Sequence, residues 1–251
     1  MRRRIKPNDI NLKSFEYKKE LNPKIWKDNK LKENIRQRLI SIAKEFIDTT
    51  GLEIVPIDIV LVGSIASFNW SKYSDIDLHV IVDFKHVNDD AELVKNYLYA
   101  KKCAWNDKHK DLKIFGYDVE LYAQDISEEN VSNGVYSVKF NHWIKIPKFE
   151  HNNIKQDLVK QISTLYINKI EYYENKFYEL KNTKSFLLLQ SKVEYLYDLI
   201  IKGRRQSLPK EGEQAAGNII FKVLRRSGHL GMLNDLKRKL FDKLNSIDEN
   251  Y

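Results

Sequence analysis

Hydrophobic and polar positions alternate in two rhythms along this chain, and the change from one to the other divides it. Between residues 25 and 50 apolar side chains recur every three or four places (Leu31, Ile35, Leu39, Ile42, Phe46), the period of a helix with one buried face. Gly51 follows Thr49 and Thr50 where such a helix should stop. Residues 57–62 (IDIVLV) form a short apolar run, read as a strand that enters a sharp Gly63-Ser64 turn, after which the segment 65–73 is expected to open a helix. Residues 76–84 and 114–124 alternate with period two, the signature of strands with one face in the core. Between them, residues 89–101 have helical spacing through Leu93, Tyr97 and Leu98, with acids in the first turn and lysines in the last. That is the expected crossover helix, followed by a polar loop over 106–113. The aromatic-rich stretch 135–146 fits either another strand or a closing loop.

From residue 153 the period is helical throughout. One long helix is predicted to about Lys181 and a second over 185–202, joined by a short turn at 182–184 as in an antiparallel hairpin. A loop is expected over 203–213, which holds Pro209 and two glycines, and then helices over 214–226 and 232–244. The switch near His151 sets the boundary. Residues 1–150 form an α+β domain with an N-terminal helix, preceded by an extended lead-in over 1–23; residues 151–251 form a basic, helical C-terminal domain.

Composition narrows the setting. At 251 residues, with 42% hydrophobic and 31% charged positions, the chain has ample material for a core. No run approaches the roughly 20 apolar residues that cross a bilayer, and the basic start, MRRRIKPNDINLK, lacks the apolar stretch of a signal peptide. The lone Cys103 excludes an internal disulfide framework and a cysteine-based zinc site, so a cytoplasmic location is expected. Net charge is +8, and its surplus is concentrated: from Lys202 to Lys243 eleven Lys/Arg stand against four acids. Such a segment attracts polyanions, nucleic acid first among them, although a solvated lysine-rich surface has the same composition.

The candidate chemistry lies in residues 61–84, LVGSIASFNWSKYSDIDLHVIVDF. Asp75, Asp77 and His79 fall on one face of the second strand, with Ile76, Leu78 and Val80 on the other. Two carboxylates side by side repel each other unless a cation lies between them, and hard divalent cations take such oxygen ligands together with substrate phosphates. A half-buried strand of no special function also carries polar residues on its solvent face, and Gly-Ser is common loop punctuation. The ten residues that separate Ser64 from Asp75 make the combination informative. On the third strand Asp118 and Glu120 share a face, and either could supply a third carboxylate. His79 could orient Asp77, and Trp143 could stack on a base, though a core aromatic is the more ordinary role.

Gly-Ser, about a dozen residues, then Asp-apolar-Asp on a strand resembles the signature of the DNA polymerase beta-type nucleotidyltransferases over roughly residues 54–125. The resemblance implies a mixed sheet flanked by helices, followed by a helical domain. It implies Asp75, Asp77 and a third acid as metal-binding catalytic residues, with Glu120 favoured because the family places this acid between apolar neighbours, here Val119 and Leu121. Gly63 and Ser64 would grip the phosphates of a nucleoside triphosphate such as ATP. Lys222, in a cluster with Arg225 and Arg226, is a further candidate for the triphosphate, or for a nucleic-acid acceptor. The cofactor would be Mg²⁺ or Mn²⁺, and the reaction transfer of an NMP to an acceptor hydroxyl with release of pyrophosphate. The basic C-terminal region tilts the acceptor toward RNA, such as a tRNA 3′ end. The alternatives are a protein or small-molecule acceptor, nucleotide-to-nucleotide signal synthesis, or an inactive antitoxin or binding module of the same fold.

Overall fold

Three segments on one sheet face supply the first core. In the computed structural model, which describes residues 5–247, a two-residue hairpin of β1 (Trp26–Lys27) and β2 (Lys30–Leu31) precedes helix α1 (Glu33–Thr50). The hairpin turns at Asp28 and Asn29, both at positive φ, the conformation of a tight two-residue turn. Helix α1 therefore begins eight residues later than the periodicity from residue 25 predicts. It ends as expected, at Gly51 in the left-handed region. Strands β3 (Asp58–Val62) and β4 (Ile76–Val82) follow, then a one-turn helix α2 (Phe84–Val87) and the crossover helix α3 (Ala91–Lys108). Asp90 caps α3 by accepting the Leu93 N–H at 3.0 Å, and α3 runs on into the stretch predicted as polar loop.

Strand β5 (Lys113–Ile114) turns through Phe115 and Gly116, both at positive φ, into β6 (Tyr117–Asp125). A last hairpin, β7 (Val135–Ser137) and β8 (His142–Lys145), completes a six-stranded sheet of order β5-β6-β4-β3-β7-β8. β4 and β6 are parallel and every other pair antiparallel, so the sheet is mixed. Ile76, Leu78, Val80 and Val82 of β4 share one core with Ile35, Leu39, Ala43 and Phe46 of α1 and Val94 and Leu98 of α3. Burying each of the Val, Leu, Ile and Phe side chains among these is worth about 1.5–3 kcal/mol. The alternating residues of β4, Asp77, His79 and Ile81, lie on the opposite face and are only half-buried.

The remaining helices are α4 (Gln156–Glu179), α5 (Thr183–Glu211), α6 (Ala216–Arg226) and α7 (His229–Asn245). Asn182 caps α5 by accepting the Ser185 N–H at 2.9 Å. Helix α5 continues through the segment predicted as a loop. Pro209 lies in the last turn, where it removes one N–H and the bond that N–H would make to the carbonyl four residues back, and Gly212 closes the helix at φ +73°. Gly203 is not a break but a point of close approach: a Cβ on Gly217 of α6 would lie 2.3 Å from the Gly203 carbonyl oxygen.

By its contacts the chain separates into a unit of residues 16–151 and a unit in which residues up to Phe15 join those from Asn152 onward. Residues 5–15, read from sequence as part of the lead-in to the first domain, thus belong with the helices. Ile5 exchanges two backbone bonds with the Asn168 side chain, and Leu12 and Phe15 are buried among apolar residues of α4 to α7. The buried Gln214 secures this arrangement by accepting the Asn153 N–H and donating to the Phe15 carbonyl and the Asn152 side chain. Residues 1–4 and 248–251 of the expected domains lie outside the described residues. Among the described residues no helix is long and apolar enough to cross a membrane.

Candidate active site

The strand register builds the centre. Antiparallel pairing sets Val62 of β3 opposite Asp77 of β4, so Gly63 leaves β3 directly beside the Asp77 carboxylate. Parallel pairing sets Asp77 beside Glu120 of β6. Asp75, one residue before β4, points the same way as Asp77. One carboxylate oxygen from each of Asp75, Asp77 and Glu120 lies within 4.8 Å of the others. Asp75 and Asp77 are half-buried and Glu120 is exposed. Three carboxylates so close together repel one another unless a cation lies between them, and an all-oxygen donor set suits a hard divalent ion. The residues fit the metal that the sequence implies.

Asp118, the reserve choice for the third acid, is engaged elsewhere. It pairs across the β5–β6 hairpin with Lys113, whose Nζ is 2.6 Å from its Oδ1. The cluster takes in Glu120 and not Asp118.

Gly63 sits at φ +73°, and a Cβ on it would lie 1.9 Å from Asp77 Oδ2. Only glycine accepts both the backbone angle and that contact. Residues 63–69 form successive turns and a bend instead of the expected helix, so no helix N-terminus faces the acids here. What holds the segment is a set of side-chain ties. Ser64 donates its hydroxyl to Ser74 Oγ at 2.7 Å, and Ser74 Oγ also accepts the Ser71 N–H at 3.0 Å. One hydroxyl thus joins the Gly-Ser turn to the residue immediately before Asp75. On another side the Trp26 indole donates to the Ile65 carbonyl at 2.8 Å.

Trp143, a candidate for base stacking, has an architectural place. Its ring stacks on Trp26 at 4.7 Å and meets Tyr136 edge-on, and its indole N–H donates to the Asn29 carbonyl. His79 lies on the acid-bearing face, but its Nδ1 is hydrogen-bonded to Gln124 at 2.8 Å and its ring lies 5.0 Å from Tyr122. Burial pushes its pKa down, and the Gln124 bond opposes this in part, so the imidazole is neutral at neutral pH. Lys222 belongs to the helical unit, where its ammonium is 2.5 Å from Glu213. Glu213 is held below the usual carboxylate range: partial burial pushes it up, but Lys222 and the Asn218 amide more than offset this.

Trp26 and Ser74 were missed by sequence reasoning. Trp26 has no motif around it, and the serine before Asp75 gains meaning only once its partner is known.

An α+β domain with three carboxylates at the joined ends of a parallel and an antiparallel strand pair, beside a Gly-Ser turn, is a metal-competent centre of the kind that handles phosphates. Residues 36–186 match the model of the nucleotidyltransferase domain family, more than half of the chain. The chain belongs to this family, the polymerase beta-like nucleotidyltransferases. No curated protein and no solved structure matches it.

Proposed function

We propose that this protein transfers an NMP from a nucleoside triphosphate to an acceptor hydroxyl and releases pyrophosphate. The observation that carries the reading is the grouping of Asp75, Asp77 and Glu120 within 4.8 Å beside the Gly63-Ser64 turn, in a chain of this family. The acceptor oxygen forms a bond to the α-phosphorus as the bond from that phosphorus to the α,β-bridging oxygen breaks, so that pyrophosphate leaves with that oxygen and the hydroxyl proton passes to solvent. Asp75, Asp77 and Glu120 would hold Mg²⁺ or Mn²⁺, which would supply charge neutralisation and acidify the acceptor hydroxyl. Gly63 lets the backbone approach the β- and γ-phosphates, and Ser64 would turn its hydroxyl from Ser74 to them. The protein's contribution is placement and charge stabilisation rather than covalent chemistry.

For the acceptor, the basic surplus of the C-terminal region supports an RNA 3′ end. A second reading, a protein or small-molecule acceptor, is favoured by how much of that surplus has internal partners. Lys222 pairs with Glu213 and Lys239 with Glu174, while Arg226 stacks on Phe15 and donates to Ser14.

Incubation with Mg²⁺ and each labelled NTP, with and without total RNA, tests both readings, with the Asp75→Asn/Asp77→Asn double variant as blank. Label that enters RNA and vanishes in the blank is the expected outcome. Label on protein or small molecules selects the second reading. Neither turnover nor metal-dependent NTP binding by the folded wild type overturns both.

A further inference from the structure

A distant segment presses on the Gly-Ser turn. β6 and β7 lie on opposite sides of the β4–β3 pair, so the connection over residues 126–134 has to cross from one side to the other. Tyr122 shares the face of β6 that carries Glu120, and its hydroxyl donates to Glu128 of this connection at 3.4 Å. The Gln124 amide, on the same face, donates to the Glu128 carbonyl at 2.9 Å. The connection therefore lies against the acid-bearing face, and its far end closes on the turn.

Asn133 makes the closure. Its amide donates to Ser67 Oγ at 3.1 Å and to the Lys148 carbonyl at 2.8 Å, and its carbonyl oxygen accepts the Lys148 N–H at 3.1 Å. Ser67 is fully buried and donates its own N–H to the Ser64 carbonyl. Gly134 comes next, so close to the turn that a Cβ would lie 1.9 Å from the Ala66 carbonyl oxygen and 3.1 Å from Pro147 Cβ. Any side chain at position 134 has to displace backbone of the turn, which lacks a helix to hold its shape.

We infer that Asn133 and Gly134 are positioning residues that fix the 63–67 turn in the shape that meets the triphosphate. Nucleotide affinity is then set in part by the connection between β6 and β7. This rests on the nucleotidyl-transfer reading given above. A turn already ordered before binding spares the complex the entropy of ordering it, which is how remote ties act on a site they do not touch.

Asn133→Ala and Gly134→Ala test the inference, with Ser137→Ala as control. Ser137 binds Asp58 and the Phe140 N–H from neighbouring β7 and makes no bond to the turn among those described. In nucleotide-free protein, amide hydrogen exchange over residues 63–74 is expected to quicken about tenfold in both variants and to stay unchanged in the control. In turnover assays the NTP KM is expected to rise about tenfold, with kcat changed less than about threefold. Unchanged exchange in Asn133→Ala, or equal quickening in Ser137→Ala, overturns the inference, as does a kcat loss at constant KM. Should Gly134→Ala not fold, Asn133→Ala decides alone. If exchange quickens as expected but the wild type binds no NTP, the tie to the turn stands and the nucleotide reading falls.

Discussion

The third carboxylate is where a single residue decides most. Asp118 and Glu120 share a strand, a face and a charge, and the sequence separates them only through their neighbours. In the structure Lys113 occupies Asp118, while the register of β6 against β4 sets Glu120 beside Asp77. Glu120→Gln is therefore expected to lower kcat by about a hundredfold or more, as loss of a metal-holding oxygen should, while Asp118→Asn changes it less than about threefold. Steady-state kinetics with saturating Mg²⁺ checks the pair; equal losses would overturn the assignment of the third carboxylate to Glu120 over Asp118. His79 shows the converse. Its spacing from Asp77 suggested an orienting role, but its described Nδ1 bond goes to Gln124.

At the scale of elements, the ends of strands matter more than their middles. The alternation of residues 76–82 and 117–123 was legible because one face of each strand is buried. Local spacing predicts a helix after β3, but the segment is a turn whose order comes from ties to Trp26, Ser74 and Asn133. Two glycines separate backbone strain from site contact. Gly63 and Gly116 both have positive φ, so alanine at either is expected to cost about 1–2 kcal/mol of stability. A Cβ at Gly116 meets nothing within 4 Å, whereas one at Gly63 meets the Asp77 carboxylate. Thermal melts should show losses in both variants, the larger in Gly63→Ala, and only Gly63→Ala should lose turnover. Activity retained by Gly63→Ala would mean that the turn does not shape the acid centre.

At the scale of the whole molecule, charge has to be counted after its internal partners are removed. The Glu213–Lys222 pair makes this measurable. The folded-state pKa of Glu213 lies below its ordinary value, so its ionised form stabilises the fold at pH above the unfolded value of about 4.3. That contribution is lost as pH falls through the lower folded value. Glu213→Gln should therefore melt lower than wild type near neutral pH, and the gap should close on acidification below about pH 4. A gap that is the same at both pH values would show that the residue acts through packing alone.

What the sequence determined by itself is whatever depends on neighbours within one element. The helical period of α1 and α4, the alternation of β4 and β6, and the Gly63-Ser64 to Asp75-Asp77 spacing all follow from residues a few places apart. Tertiary structure decided what depends on register and close approach. It brought Glu120 to Asp77, gave Asp118 to Lys113, carried α5 through Gly203 because α6 packs there, and set Trp26 and Asn133 against one turn. These choices bring together residues far apart in sequence, and no local preference encodes a partner that only the folded sheet supplies.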